Sequence, residues 1–284
     1  MTEVPGDVLT RLCPEACHIL IAAPYIKAAA LSRVLADANA DARIVCITRW
    51  DPYDIASGVS DIECRSIVID RGGSFRLHPT LHAKFYRIDD VSLVGSANLT
   101  SAGMGWSEQS NVEILCRPEQ HFDADRFQER LLRESREISD REQASWEQSV
   151  TSGVVEGSLA SKTRPALSKW RPATRDPRHL EMAYEARKDN IASLDEQRAA
   201  ESDLTRLLVP EGLTTEEMRK WVAVWLLAAP FTSSVIQLSD LDLVASAKAL
   251  ADQYGLEITE ARRDMETVQN WLAFLAPGTL PRCR

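Results

Sequence analysis

The residues best suited to chemistry in this chain are four polar side chains in two closely spaced pairs, His82 with Lys84 and Ser96 with Asn98. Together they supply an imidazole that can attack or protonate, an ammonium that can offset phosphate charge, and a hydroxyl and an amide that can ligate phosphate oxygens. Gly95 permits close backbone approach beside Ser96, and the Thr100-Ser101-Ala102-Gly103 segment could open a helix whose free N–H groups also face an anion. Such chemistry requires both pairs on one surface.

Each pair has strand spacing, on the expected strands LHAKFYRI (81–88) and VSLVGSANL (91–99), so each leaves its own strand from a single face. Whether the faces coincide depends on the connection between the strands, because a register change of one residue flips a strand. A two-residue Asp89-Asp90 turn pairs Ile88 with Val91 and sends the polar pairs to opposite faces. A three-residue Asp89-Asp90-Val91 connection pairs Ile88 with Ser92, placing Lys84 opposite Ser96 and His82 opposite Asn98. The expectation is the odd connection or an equivalent bulge.

The surrounding pattern alternates between strand and helix. HILIAAPYI (18–26), RIVCIT within 42–48 and RSIVID (65–70) read as strands, KAAALSRVLADANA (27–40) as a helix, and NVEILCR (111–117) as a further strand. From Pro118 to about Val150 the chain turns helical and charged, with Phe122, Phe127, Leu131 and Leu132 as inward contacts. This predicts an α/β domain with a sheet covered by helices.

His82-Ala-Lys84, four further residues, Asp89, and then Gly95-Ser96-Ala97-Asn98 resemble the H-x-K-x4-D…G-S-x-N signature of the phospholipase D superfamily. The resemblance covers about residues 18–117 and implies a phospholipase D-like layered α/β/α sandwich with a mixed sheet. It makes His82 the nucleophile that forms a phosphohistidine, Lys84 the phosphate counter-charge, and Ser96 and Asn98 the groups orienting the nonbridging oxygens. Asp89 is structural in this reading, and Glu113 is an acidic residue on the next strand that orients the site. A second histidine must protonate the leaving group, yet His18, His78, His121 and His179 are not followed by x-Lys. The chain therefore resembles the single-motif branch, implying a homodimer whose two copies complete one active site. The implied route uses no metal and no cofactor.

The chain has 284 residues, 44% hydrophobic and 26% charged, with a formal net charge of -9. These values suit globular domains and exclude collagenous or disordered chains, while the acidic balance excludes a basic coat for nucleic acid or anionic membrane. The N-terminus lacks a basic segment leading into an apolar core, and the longest apolar run, Trp221 to Pro230, is short of the roughly 20 residues of a membrane span. The expected setting is cytoplasmic. Cys46 and Cys116 lie in apolar runs and read as buried; Cys13 and Cys17 flank a C-x3-C beside His18 without the second pair of a zinc knuckle.

Between residues 162 and 178, Lys162, Arg164, Lys169, Arg171, Arg175 and Arg178 face Asp176 alone, interrupted by Pro165, Pro172 and Pro177. Trp170 among these positives suits nucleic acid, with Lys169, Trp170 and Arg171 as contacts; the competing reading is an ordinary linker. Farther on, Thr214-x-x-Glu217 is a capping box for a helix that Pro230 stops. A helix from about Ser239 ends at Gly255, and another ends before Pro277. Residues 249–268 are similar to a helix-turn-helix, whose second helix, from Thr259, would contact DNA through Arg262 and Arg263. A plain packing bundle is the alternative.

The expected layout is a catalytic domain at 1–150, a basic Pro-containing linker at 151–195 and a smaller all-helical domain at 196–284. The expected activity is a metal-independent phosphodiesterase, an endonuclease of restriction or defence type, acting on DNA before RNA. A phospholipase D-type lipid hydrolase uses the same residues, and a DNA-binding or assembly protein with a vestigial site is the third reading.

Overall fold

Three parallel strands, two of them apolar runs, start the sheet. In the computed structural model, which describes residues 3–150, 165–185, 191 and 193–280, strand β1 (His18–Ala22) pairs in parallel with β2 (Arg43–Thr48) and β2 with β3 (Ser74–Leu77). β4 (Phe85–Ile88), β5 (Val91–Gly95), β6 (Leu115–Cys116) and β7 (Arg136–Glu137) join antiparallel, giving a seven-stranded mixed sheet in the order β6-β5-β4-β1-β2-β3-β7. The central strand is buried on both faces, as its unbroken apolar run requires. On one face Leu20, Ala22, Ile47 and Phe85 pack with Leu131 of helix α5 (Ala124–Glu134), and Phe127 meets Phe85 edge-on at 5.2 Å. On the other, Cys64 and Val68 of helix α4 (Cys64–Ile69) are buried beside β2 and β3.

Helices α1 (Pro5–Leu12), α2 (Ala28–Leu35) and α3 (Pro52–Ala56) complete this unit. Asp51 caps α3, its carboxylate accepting from the N–H groups of Tyr53 and Asp54 at 3.0 and 3.3 Å, and Pro52 supplies the preset φ of a first helical turn.

Several local readings are corrected. RSIVID is helix, not strand: Cys64 and Val68, four apart, are buried while Ile69 is exposed, so burial at helical spacing overrides the β-branched composition. The third parallel strand is instead the short Ser74–Leu77, which sequence periodicity left unassigned. Cys116 is exposed on its edge strand. The Asp89-Asp90 connection is the even one: Ile88 pairs with Val91, and Asp89 adopts a left-handed φ of 48°, a conformation Asp tolerates.

The chain divides into two compact units, residues 1–138 and 139–284, so helix α6 (Asp140–Val150) belongs to the second. That unit is all helical among the described residues: α7 (Arg178–Tyr184), α8 (Leu194–Arg206), α9 (Thr215–Ala228), α10 (Pro230–Gln237), α11 (Leu243–Tyr254) and α12 (Ile258–Leu275) follow. The Thr214–Glu217 capping box starts α9, which buries Trp221 and Trp225. Pro230 ends α9 and, as a first-turn residue, opens α10. The next helix starts at Leu243, not Ser239, because the Asp242 carboxylate accepts from the N–H groups of Val244 and Ala245, both at 3.0 Å. Gly255, at φ 65°, caps α11 in the left-handed region and leads into α12, a helix-turn-helix arrangement. Ala261 is fully buried, which accounts for a small residue where this pattern favours a larger one.

Among the described residues no helix is long and apolar enough to cross a membrane.

Candidate active site

Parallel β1 and β2 end on one edge of the sheet, and β4, running the other way, begins there. Lys84 therefore precedes Phe85 at the edge where Ala22 and Ile47 end their pairings. Open α/β sheets favour ligand sites outside these carboxyl ends, because chain segments diverge there and leave backbone and side chains free to face a ligand.

The even turn would separate the two polar pairs only if the β4–β5 ladder continued through them. It does not, because both strands end first. The last bond of the ladder is from the Gly95 N–H to the Lys84 carbonyl at 3.3 Å, and Ser96 then turns to the next strand, its N–H donating to the Ile114 carbonyl at 3.0 Å. A side chain at Gly95 would put its Cβ 1.8 Å from the Ile114 carbonyl oxygen, so only glycine allows this crossing.

Glu113 gathers the site. Its carboxylate accepts a short hydrogen bond from the Ser96 hydroxyl and another from the Asn111 amide at 3.1 Å, while Ser96 Oγ accepts the Ile114 N–H at 3.1 Å. Both carboxylate oxygens are thus engaged, and the serine hydroxyl has one fixed orientation. Lys84 lies within the field of Glu113 and donates to the His82 carbonyl at 3.0 Å. Burial lowers the pKa of the Lys84 ammonium, the charge of Arg49 lowers it further, and Glu113 opposes both. The His82 ring is exposed, available to a ligand. The Asn98 side chain makes no hydrogen bond to the described residues, and its Oδ1 is buried.

Tyr86, Asn111 and Arg49 were missed by sequence reasoning. The buried Tyr86 hydroxyl donates to the Ala97 carbonyl at 2.7 Å, fixing the backbone between Ser96 and Asn98. The Asn111 amide holds the second oxygen of Glu113. Arg49 follows β2 at the same edge and is paired with buried Asp54 at 2.9 Å. For Arg49 alone there was a usable signal: a charged residue directly after the apolar run RIVCIT, at the carboxyl end of a parallel strand.

Asp89 lies at the opposite edge. Its carboxylate accepts the N–H groups of Cys17 at 3.1 Å and His18 at 2.8 Å, tying the hairpin turn to the start of β1.

The remaining candidates are dispersed or occupied. Trp170 is buried, donating to Asp203 at 3.1 Å and packing edge-on against Trp271 at 5.9 Å, so it cannot stack on a base. Arg171 is held by Glu260 at 3.0 Å and Asp264 at 2.6 Å. The expected linker is thus partly helical core: Trp170, Thr174 and Leu180 are all buried. Lys169 is exposed; Lys162 and Arg164 lie outside the described residues. Arg262 pairs with Glu266 and Arg263 with Asp264, which leaves the second helix of the helix-turn-helix partly neutralised.

Fold and site together define an α/β protein with a mixed seven-stranded sheet, in which Lys84, Ser96 and Glu113 are drawn together at the carboxyl edge of the parallel strands. No protein-family model matches the chain, and a search of curated proteins finds no match.

Proposed function

We propose that this chain is a metal-independent phosphodiesterase of the phospholipase D superfamily that hydrolyses nucleic acid. The observation that carries this reading is the convergence of Lys84, Ser96 and Glu113 beside the exposed His82, in the segment that resembles the superfamily signature. Lys84 offsets the charge of the bound phosphate, and Ser96 and Asn98 orient its nonbridging oxygens. A neutral His82 nitrogen attacks phosphorus, a P–N bond forms, and the P–O bond to the leaving group breaks. The leaving oxygen takes a proton from an imidazolium. Water then attacks phosphorus and the P–N bond breaks, releasing the phosphate product; the water's proton passes to the imidazole that had protonated the leaving group, so both histidines regain their starting states.

The proton donor is His82 of a second copy. Within the unit, His18 sits at the opposite edge beside Asp89, and His121 is exposed beside Glu119. His78 follows β3 at the near edge, but its Nδ1 is buried and its Nε2 faces Glu134 at 3.6 Å. Two copies of one histidine can divide the work, neutral in one and protonated in the other, since they titrate as a coupled pair.

The test is to incubate wild type and His82→Ala with labelled DNA, RNA and phospholipid vesicles, each with a chelator present. Nucleic acid is cut by wild type and not by the variant. Cleavage of lipid alone rejects the substrate, and binding without any cleavage rejects the enzyme reading.

A further inference from the structure

We propose that Arg49 binds a second substrate phosphate, next to the one held by Lys84, so that the site selects a multi-phosphate strand over a diester with a single phosphate. This deepens the phosphodiesterase reading above and rests on it.

The register places the two cations. Ala22 of β1 pairs with Ile47 on one side and with Phe85 on the other. Arg49 and Lys84 therefore leave the same edge from strands flanking β1, two strand spacings or roughly 10 Å apart in the backbone. Their heads are tied to separate anchors. Lys84 Nζ is drawn to the His82 carbonyl at 3.0 Å. Arg49 Nη2 donates to buried Asp54 at 2.9 Å and to the Tyr25 hydroxyl at 3.4 Å, with the guanidinium 5.6 Å from the Tyr25 ring centre. They form two cationic positions on one edge, not one shared position.

The anchoring of Arg49 is incomplete. Its Nε is buried without a partner, and Nη1 bonds to no described residue. With Nη2 held by Asp54 and Tyr25 and Nε enclosed, Nη1 is the donor left for an oxyanion. Its charge also reaches Lys84, which it disfavours as an ammonium. A phosphate at each cation relieves that repulsion, and a polynucleotide supplies phosphates in series.

The experiment uses the full chain in two formats. In a His82→Ala background, binding of a labelled single-stranded DNA oligonucleotide is followed across a salt series with and without Arg49→Gln. The expected result is about tenfold weaker binding and a salt slope smaller by about one, the signature of one lost phosphate contact. With His82 intact, Arg49→Gln lowers kcat/KM for the oligonucleotide by a similar factor, while bis(p-nitrophenyl) phosphate, which has one phosphate, is cut at a rate within about twofold of wild type. Because Arg49→Gln leaves Asp54 buried without this cation, Arg49→Lys and the double variant Arg49→Gln/Asp54→Asn are measured beside it, with thermal melting of each. Arg49→Lys retains most binding, and the double variant melts like wild type but binds like Arg49→Gln.

Equal losses on both substrates, or an unchanged salt slope, overturn the assignment. If wild type cuts neither substrate, the phosphodiesterase reading fails. The binding series then still decides whether Arg49 contacts a phosphate.

Discussion

In the proposed mechanism Lys84 must stay charged to hold phosphate, yet burial and the neighbouring Arg49 disfavour the charge. The sign is therefore a loss on the alkaline side. As pH rises, Lys84 gives up its proton below the ordinary lysine range, and cleavage falls with it. Lys84→Arg cannot titrate there, so its activity, reduced by the altered head group, lacks the alkaline limb that belongs to the lysine. A pH profile of kcat/KM for both proteins checks this; coincident alkaline limbs exclude Lys84 as their origin. Asp89 was legible at this scale as a turn residue, because a carboxylate needs only nearby backbone N–H groups to act structurally, and it finds those of Cys17 and His18. Arg49 was legible only as a charged residue following an apolar strand; the alignment of strand ends decides that it lies near Lys84.

At the scale of elements, the site is made where regular structure stops. The β4–β5 ladder ends at Gly95, and the chain reaches β6 there only because no side chain intervenes. Gly95→Ala drives a methyl into the Ile114 carbonyl and separates Ser96 from Glu113. The expected outcome is a stability loss of about 1–3 kcal/mol with loss of cleavage, read by thermal melting and the DNA assay. A variant with wild-type activity would mean that the crossing does not position Ser96. The odd connection expected from sequence gives way to the two-residue turn that Asp89 permits at φ 48°; this does not by itself separate the pairs, because alternation across a hairpin holds only as far as the ladder, and all four polar residues lie past its end or on its last bond. In the helical unit, Asp203 accepts from Trp170 Nε1, the Ala173 and Thr174 N–H groups and the Thr174 hydroxyl, at 2.8 to 3.1 Å. Asp203→Ala strands these buried donors and is expected to cost about 3 kcal/mol or more, visible as a lower melting temperature. Neutralising Arg171 likewise acts on the fold of this unit, through Glu260 and Asp264, before it acts on any nucleic acid.

For the whole molecule, the proposed chemistry needs two chains. Val112 and Ile114 are exposed on either side of Glu113, in the segment leading into the edge strand β6, where a second copy would cover them. Sedimentation of the protein is expected to give two chains. Val112→Asp with Ile114→Asp is expected to shift it to one chain and reduce cleavage in parallel. A fully active single chain contradicts the shared site.

The sequence by itself determined the chemical groups and their local order: the His82–Lys84 and Ser96–Asn98 pairs, the glycine between them, the capping box at Thr214, and the apolar runs that become β1 and β2. These follow from neighbours a few residues away. Tertiary structure alone decided that RSIVID is a helix, that Trp170 is core, that the boundary between units falls at 138, and that Glu113, Tyr86 and Arg49 meet at one edge. Each of these depends on burial against residues distant in the chain, and such burial outweighs local propensity because it removes far more apolar surface from water than any single turn can.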